Sequence, residues 1–313
     1  MAKRTTPIDE VIAGKLEQVD RRRMMRRVGI GAAAAAAAVA GLTGTATPAQ
    51  ATNQGAGPPD ADILNFALNL EYVEAEYYLY AVTGQGLAAS YRTGTGVQGT
   101  TGRGQQVPFK TQAIAQYAAR IAQDEQTHVG YIRSVLGSAA VAIPDIDVGI
   151  GPNNIFSVLA QTAGLVGPGQ VFNPYADENS FLLGASVFED VGVTAYAGAA
   201  RYIGNPDYLE SAAAILAVEA YHAGTIRALL LSLGLSDSFN KIATVRATLS
   251  NAGGLGSAEG PLAASGKPFN FVPTDSNALA YRRTTRQVLN VVYGAPNASK
   301  GGFFPQGFNG NIK

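Results

Sequence analysis

The sequence predicts an all-α fold: a four-helix bundle with one long crossover connection and a C-terminal helical extension. Apolar residues recur about every 3.5 positions in four long segments, and the alternation typical of strands is nearly absent. The third and fourth segments are joined by the tight turn Gly204-Asn205-Pro206, so these two helices must be antiparallel neighbours. The longest connection joins the second and third segments, which is typical of bundles with a single crossover.

Residues 1–51 have the features of a cleavable export signal. The segment that begins at Arg21 and Arg22 resembles the twin-arginine pattern, an alanine-rich apolar stretch follows at residues 28–42, and the small-x-small sequence Ala49-Gln50-Ala51 ends it. The alternative is a membrane anchor, but this stretch is shorter than the roughly 20 residues of a spanning helix. We therefore expect cleavage after Ala51, no membrane span in the mature protein, and a periplasmic or extracellular location.

The mature chain is predicted to form a bundle at residues 52–235 and an extension at residues 236–313 that packs on it. The bundle helices are predicted at residues 60–82, 108–136, 177–203 and 207–233, with Pro108 at the start of the second. A glycine-rich loop covers residues 84–107, and the crossover contains a short helix at residues 155–165. In the extension we expect helices near residues 239–249 and 276–292, and then an extended Gly/Phe-rich ending at residues 301–310.

Charge and cysteine content exclude several classes of function. Residues 1–51 hold eight basic and four acidic residues, so the remainder of this neutral chain has a net charge of −4. A mildly acidic body offers no basic surface for nucleic acid. The absence of cysteine excludes thiolate zinc sites, iron–sulfur clusters, disulfides and cysteine nucleophiles. Any metal must therefore be bound by oxygen ligands and by the two histidines of the chain.

Each predicted bundle helix carries a glutamate near the middle of its apolar, inward-facing stripe. In the second and fourth helices a histidine follows three residues later, which places the two side chains on one helix face. Both histidines of the chain occur in this Glu-x-x-His arrangement. The candidate metal ligands are Glu71, Glu125, His128, Glu189, Glu219 and His222.

These six side chains would meet in one apolar core, and their charge must be compensated there. A buried unpaired charge is strongly destabilising, and four neighbouring carboxylates cannot all stay ionised. None of the fifteen basic residues of the mature chain lies on the inward stripes. Two divalent cations would balance four carboxylates, and a set of carboxylates and imidazoles suits iron or manganese better than copper or calcium. The sequence therefore predicts two divalent metal ions, with iron expected and manganese as the alternative.

Several neighbouring residues leave alternatives open. A single Glu-x-x-His is more often a solvated pair than a metal site, so the prediction depends on its occurrence on two helices. Glu74 lies one turn from Glu71 and is either a rival ligand or a partner for a histidine N–H. Asp124 and Asp190 are expected to point to solvent. Four tyrosines on or near the stripes are interpreted as core aromatics rather than as electron-relay residues: Tyr78, Tyr117, Tyr196 and Tyr221.

This pattern resembles the ferritin-like superfamily, in which two helices each supply a glutamate and two others each supply a Glu-x-x-His. All six candidates match it. More narrowly, the sequence Arg-Thr-Thr-Arg-Gln-Val-Leu at residues 283–289 and the Gly-Gly-Phe-Phe-Pro ending are similar to bacterial ferritin-like proteins related to plant desiccation-related proteins. The resemblance covers residues 60–310. The glycine-rich first loop and the extension depart from storage ferritins, so no storage shell is expected; the oligomeric state stays open, a homo-oligomer included.

The resemblance implies oxidation of Fe(II) by O2 or H2O2, and thereby iron or peroxide detoxification during stress. One alternative is peroxide dismutation of the manganese catalase kind, which uses a similar ligand set. The other is a non-catalytic desiccation protein in which the metal helps to fix the bundle. The sequence does not decide whether the site turns over, and it names no catalytic residue beyond the metal ligands.

Overall fold

Four long helical segments form a bundle with one long crossover, as predicted. The computed structural model describes residues 57–102, 104–251 and 260–313, so the predicted export signal at residues 1–51 lies outside the described residues. The helices of the bundle and its crossover are α1 Asp60–Thr83, α2 Gln112–Leu136, α3 Ile155–Thr162, α4 Glu178–Ala185, α5 Glu189–Ala199 and α6 Pro206–Ser232. The extension contains α7 Ser236–Asn251 and α8 Thr285–Val292. Two short strands, β1 Thr101–Gly102 and β2 Ile146–Asp147, pair in parallel.

The bundle is built from two closely packed helix pairs. Helix α1 packs along α2, and α5 packs along α6, whereas α2 and α6 stand further apart and are bridged by side chains. Among the described helices, α6 is the one whose length and apolar composition would allow it to cross a membrane. In the structure it is one of the four bundle helices.

Helix α1 is covered on nearly all sides, which a bare four-helix bundle would not achieve. Its residues from Ile63 to Tyr78 are almost all buried. The C-terminal segment covers one side, where the Phe66 and Phe308 rings lie 5.3 Å apart and the Asn69 side chain pairs with the Asn309 backbone. The crossover covers another, and the Tyr72 hydroxyl donates to the Val141 carbonyl. The Gly/Phe-rich ending is therefore not extended; it forms turns that bury its three phenylalanines, Phe303, Phe304 and Phe308.

The third helical segment is broken, although a continuous helix was predicted at residues 177–203. Helices α4 and α5 are separated by a turn at residues 186–188, where the backbone N–H groups of Val187 and Phe188 bond three residues back instead of four. The carbonyl group of Ser186 is released from the helix and accepts a hydrogen bond from Arg246 of α7. A long-range contact with the extension thus stabilises a break that local sequence does not signal.

Two predicted helix starts are wrong because side-chain carboxylates bind backbone N–H groups of the preceding residues and hold them outside the helix. Helix α2 begins at Gln112 rather than at Pro108, since Glu178 accepts hydrogen bonds from the backbone N–H groups of Lys110 and Thr111. In the extension, Asp275 accepts hydrogen bonds from the N–H groups of residues 277 and 279. Helix α8 therefore begins only at Thr285, after a capping box formed by residues 284 and 287.

Asp190 anchors the extension to the bundle and does not point to solvent as predicted. It is buried, and its carboxylate accepts two hydrogen bonds of 2.9 Å from Arg227 of α6 and one of 2.7 Å from Arg246 of α7. Burial alone would raise the pKa of Asp190, but the two guanidinium charges outweigh it and hold the pKa below its ordinary value. Both arginines also lie over the ring of Phe239. One carboxylate thus connects α5, α6 and α7.

Replacing Asp190 by Asn should destabilise the fold strongly, because two buried guanidinium groups would lose their negative partner. We expect a decrease of about 3–5 kcal/mol in the free energy of unfolding, measured by urea denaturation. The control is Glu210→Gln, which removes a carboxylate from the exposed face of α6 and should change stability by less than about 0.5 kcal/mol. Equal stability of the two variants would show that the buried network contributes little.

Candidate metal centre

The structure brings all six predicted side chains together in the middle of the bundle. Glu71 comes from α1, Glu189 from α5, and α2 and α6 each supply a Glu-x-x-His pair. All six are buried, and His128 is the most accessible at 8% exposure. Their ligand atoms form two groups in which every atom lies within 4.8 Å of the others. The groups are Glu71, Glu125, His128 and Glu219, and Glu125, Glu189, Glu219 and His222.

Both groups have the same composition, and they share two carboxylates. His128 Nδ1 lies 3.2 Å from both Glu71 Oε2 and Glu125 Oε2. His222 Nδ1 lies 3.1 Å from Glu125 Oε1 and 3.3 Å from Glu189 Oε2. Glu125 and Glu219 belong to both groups, so each group has one histidine, one glutamate of its own and two shared glutamates. This arrangement suits two metal ions bridged by two carboxylates.

Unpaired buried atoms support a metal at this position. Five ligand atoms make no well-aligned hydrogen bond, although His222 Nδ1 lies within 3.3 Å of the first two: Glu125 Oε1, Glu189 Oε2, both carboxylate oxygens of Glu219, and His222 Nδ1. Buried polar atoms are normally satisfied, because each unsatisfied group costs about 1–3 kcal/mol. Here the unsatisfied atoms converge on shared points and are all donors of electron pairs to hard or borderline metals. The residues present therefore fit a dinuclear metal site.

The six side chains of the centre do not balance one another's charge, and their pKa values are shifted as a result. Burial raises the pKa of Glu125 to about 7, and burial together with the charges of Glu125, Glu189 and Glu71 raises the pKa of Glu219 well above its usual range. For His128, burial acts to lower the pKa, but the charges and hydrogen bonds of Glu71 and Glu125 raise it to about 11. On their own, these side chains thus favour protons on Glu125, on Glu219 and on the His128 imidazole. A divalent ion would displace these protons.

Two tyrosines orient the unshared glutamates, a role that the sequence interpretation missed. The Tyr78 hydroxyl on α1 donates to Glu189 on α5, and the Tyr196 hydroxyl on α5 donates to Glu71 on α1. Each tyrosine lies seven residues after the glutamate on its own helix, a repeated spacing that could have indicated the pairing. Tyr117 is partly buried and donates to the backbone carbonyl of His222. Tyr221, predicted to be a core residue, is 76% exposed.

The ring nitrogen of His222 that points away from the centre has a carboxylate partner. His222 Nε2 lies 3.2 Å from Asp124, which is also bound by Arg120, so the prediction that Asp124 is simply solvated is wrong. With Nε2–H donating to Asp124, a neutral His222 would present its Nδ1 lone pair to a metal in the centre. Glu74 was expected to be either a rival ligand or the partner of a histidine N–H. It belongs to neither ligand group and lies instead beside Gly192, buried at the back of the centre.

The sequence matches the ferritin-like domain family over residues 59–232. The chain belongs to the ferritin-like family. It is 31% identical over 269 residues to the desiccation-related protein PCC13-62 of Craterostigma plantagineum, covering 79% of this chain and 82% of that protein. It is 26% identical over 280 residues to the ferritin-like catalase Nec2 of Nesocodon mauritianus, covering 82% and 86% of the two chains.

A glycine inside α5 makes room for a shared ligand of this ferritin-like protein. A Cβ atom on Gly192 would lie 2.2 Å from Glu219 Oε2, and no real Cβ contact is that short. Glycine within a helix costs about 1 kcal/mol relative to alanine, so its presence here reflects the close approach of the Glu219 carboxylate. Residue 192 thereby determines where Glu219 can place its oxygens.

Replacing Gly192 by Ala should weaken metal binding while keeping the fold. The added methyl group must displace the Glu219 carboxylate, which both ligand groups share, so we expect at least about tenfold weaker binding of both ions by isothermal titration calorimetry. The matched control is Gly224→Ala in α6, whose Cβ would have its nearest neighbour at 3.8 Å. If Gly192→Ala binds two ions as tightly as Gly224→Ala, the carboxylate of Glu219 is not a shared ligand.

Proposed function

We propose that this protein holds two divalent metal ions at the centre and uses them to dispose of hydrogen peroxide. The observation that carries the proposal is the pair of ligand groups sharing Glu125 and Glu219 within a closed core. The similarity to a ferritin-like catalase supports peroxide as the substrate. In the reaction, one H2O2 is oxidised to O2 and a second is reduced to two H2O, so electrons and protons balance without another reactant.

The residues of the centre would bind the two ions, orient the ligands and shield the site from water. Glu71, Glu125, His128, Glu189, Glu219 and His222 would hold two redox-active ions, which supply the electron storage that dismutation needs. Tyr78 and Tyr196 fix the unshared carboxylates by hydrogen bonds, and Asp124 fixes the ring orientation of His222. The surrounding apolar core excludes bulk water, which strengthens these interactions.

Fe(II) oxidation is the second candidate, because iron suits the same ligand set. Turnover of that kind requires Fe(II) to reach the centre repeatedly, and a polar or acidic path would favour this passage. The four glutamate ligands are at most 1% exposed. A centre so closed to solvent suits retained metal and a small neutral substrate better. A purely structural metal is the third candidate, and it would fit the similarity to a desiccation-related protein.

We also propose export by the twin-arginine route, which the sequence pattern at residues 21–51 supports. This route carries folded proteins, which suits a centre loaded with metal before export. N-terminal sequencing of the secreted protein tests the proposal. A mature chain beginning at Thr52 would support it, and an intact Met1 in the membrane fraction would contradict it.

An oxygen electrode separates the candidates in a single assay. We expect the metal-loaded protein to evolve O2 from H2O2, and Glu125→Gln to reduce this rate by at least about 100-fold through loss of a shared ligand. The matched control, Glu76→Gln, alters a carboxylate that is equally buried but lies outside the ligand groups, and it should retain the activity.

Other results would replace the proposal. O2 consumption on addition of Fe(II), without O2 evolution from peroxide, would favour iron oxidation. If protein that has bound metal shows neither response, the structural role is favoured. Equal activity of the Glu125→Gln and Glu76→Gln variants would place the reaction elsewhere.

A further inference from the structure

We propose that the small reactant reaches the metal centre between α2 and α6, through an apolar pit whose mouth is crossed by a hydrogen bond between Tyr131 and Ser211. The inference rests on the proposed function, since it states how peroxide reaches the centre and which size of molecule can do so. It assigns Tyr131 and Ser211 as the residues that determine size selectivity.

The other sides of the bundle are covered. Residues 181–192 are buried without interruption, and α1 is buried from Leu68 to Tyr78. Behind Glu74 and Gly192 the core holds a second cavity of about 10 Å3, but Val291, Val292 and Phe303 of the C-terminal segment, all buried, separate it from solvent. Within the described part of the chain, α2 and α6 are the bundle helices whose outer faces stay exposed along their length. The side between these two helices is therefore the one that other elements cover least.

The histidine of α2 lies on the accessible side of the centre. His128 is 8% exposed, about twice as much as His222, and the glutamate ligands are closed to solvent. Its neighbours one turn further along α2 are Tyr131 and Ile132, which both line the pit. From α6, Ile215 lines the pit one turn before the shared ligand Glu219. The pit thus begins one helical turn from ligands on both helices.

The pit is narrow and apolar. Its cavity volume is about 10 Å3, close to the minimum that holds one water molecule. At its inner end lies Tyr196, the tyrosine that donates to Glu71. At its outer end the hydroxyl groups of Tyr131 and Ser211 form a hydrogen bond. Its other walls are formed by Leu64, Ile132, Val135, Tyr208, Ala212 and Ile215.

This geometry predicts strong selection by size. Water, O2 and H2O2 are small enough for a passage one water molecule wide, whereas an organic hydroperoxide is not. Tyr131 is 43% exposed, so its ring can rotate outward without disturbing the core. Removing the ring should widen the mouth and leave the bundle folded, while enlarging Ala212 should fill the pit from the α6 side.

The test measures access without relying on turnover. Nitric oxide is a small neutral probe that binds Fe(II), and its binding to Fe(II)-loaded protein is followed by anaerobic stopped-flow absorbance. We expect Tyr131→Ala to raise the association rate about fivefold or more and Ala212→Val to lower it by a similar factor. Tyr202→Ala is the control, because Tyr202 is similarly exposed, at 52%, but lies outside the pit; it should change the rate less than about twofold.

Each outcome decides for or against the route. An unchanged rate in Tyr131→Ala would overturn it, and so would an equal acceleration in Tyr202→Ala. Urea unfolding of Ala212→Val verifies that a slower rate does not come from misfolding, and Tyr131→Ala tests the route independently if that variant is unstable. If wild-type protein never consumes peroxide yet nitric oxide binding responds as expected, the proposed function fails and the route stands. If peroxide is consumed but nitric oxide binding does not respond, the route alone fails.

Discussion

Four buried glutamates in one apolar core impose the constraint on which the rest of this structure depends. Like charges at such short range cannot all stay ionised without compensation, and the described basic side chains lie elsewhere. Two buried cations, Arg227 and Arg246, form ion pairs with Asp190. Protons on Glu125 and Glu219 and on the histidines can reduce the charge, but neither carboxylate oxygen of Glu219 has a hydrogen-bond partner. Two divalent metal ions would balance the charge of the glutamates and would also bind the unpaired ligand atoms.

The fold holds this centre from two sides with different chemistry. Inside the bundle, α1 and α5 exchange hydrogen bonds through Tyr78 and Tyr196, so each helix orients the ligand of the other. Outside it, Asp190 is adjacent to the ligand Glu189 and fixes α5 to α6 and α7 through two arginines. The break before Glu189 allows α5 to start at the ligand itself, and Arg246 stabilises that break. The C-terminal extension therefore takes part in positioning the centre as well as in covering it.

Local patterns in the sequence predicted the bundle and the residues that meet in its core, because helical periodicity and the Glu-x-x-His spacing are short-range signals. What they could not predict depends on distant partners. The Ser186 carbonyl is drawn out of the helix by Arg246, and Glu178 delays the start of α2. Asp190 looked solvent-facing because its two arginines lie 37 and 56 residues further along the chain. Spacing favoured Glu71 but left Glu74 as an alternative, and burial does not distinguish the two, because α1 is covered on nearly all sides.

The metal content of the purified protein tests the central claim most directly. Elemental analysis of the mature protein should find two iron or manganese ions per chain, and their removal by a chelator should lower the thermal midpoint, because a ligand that binds only the folded state stabilises it by mass action. Replacing His222 by Ala should abolish binding of the ion that this histidine serves. A metal-free protein whose thermal midpoint stays unchanged in excess Fe(II) or Mn(II) would contradict the account.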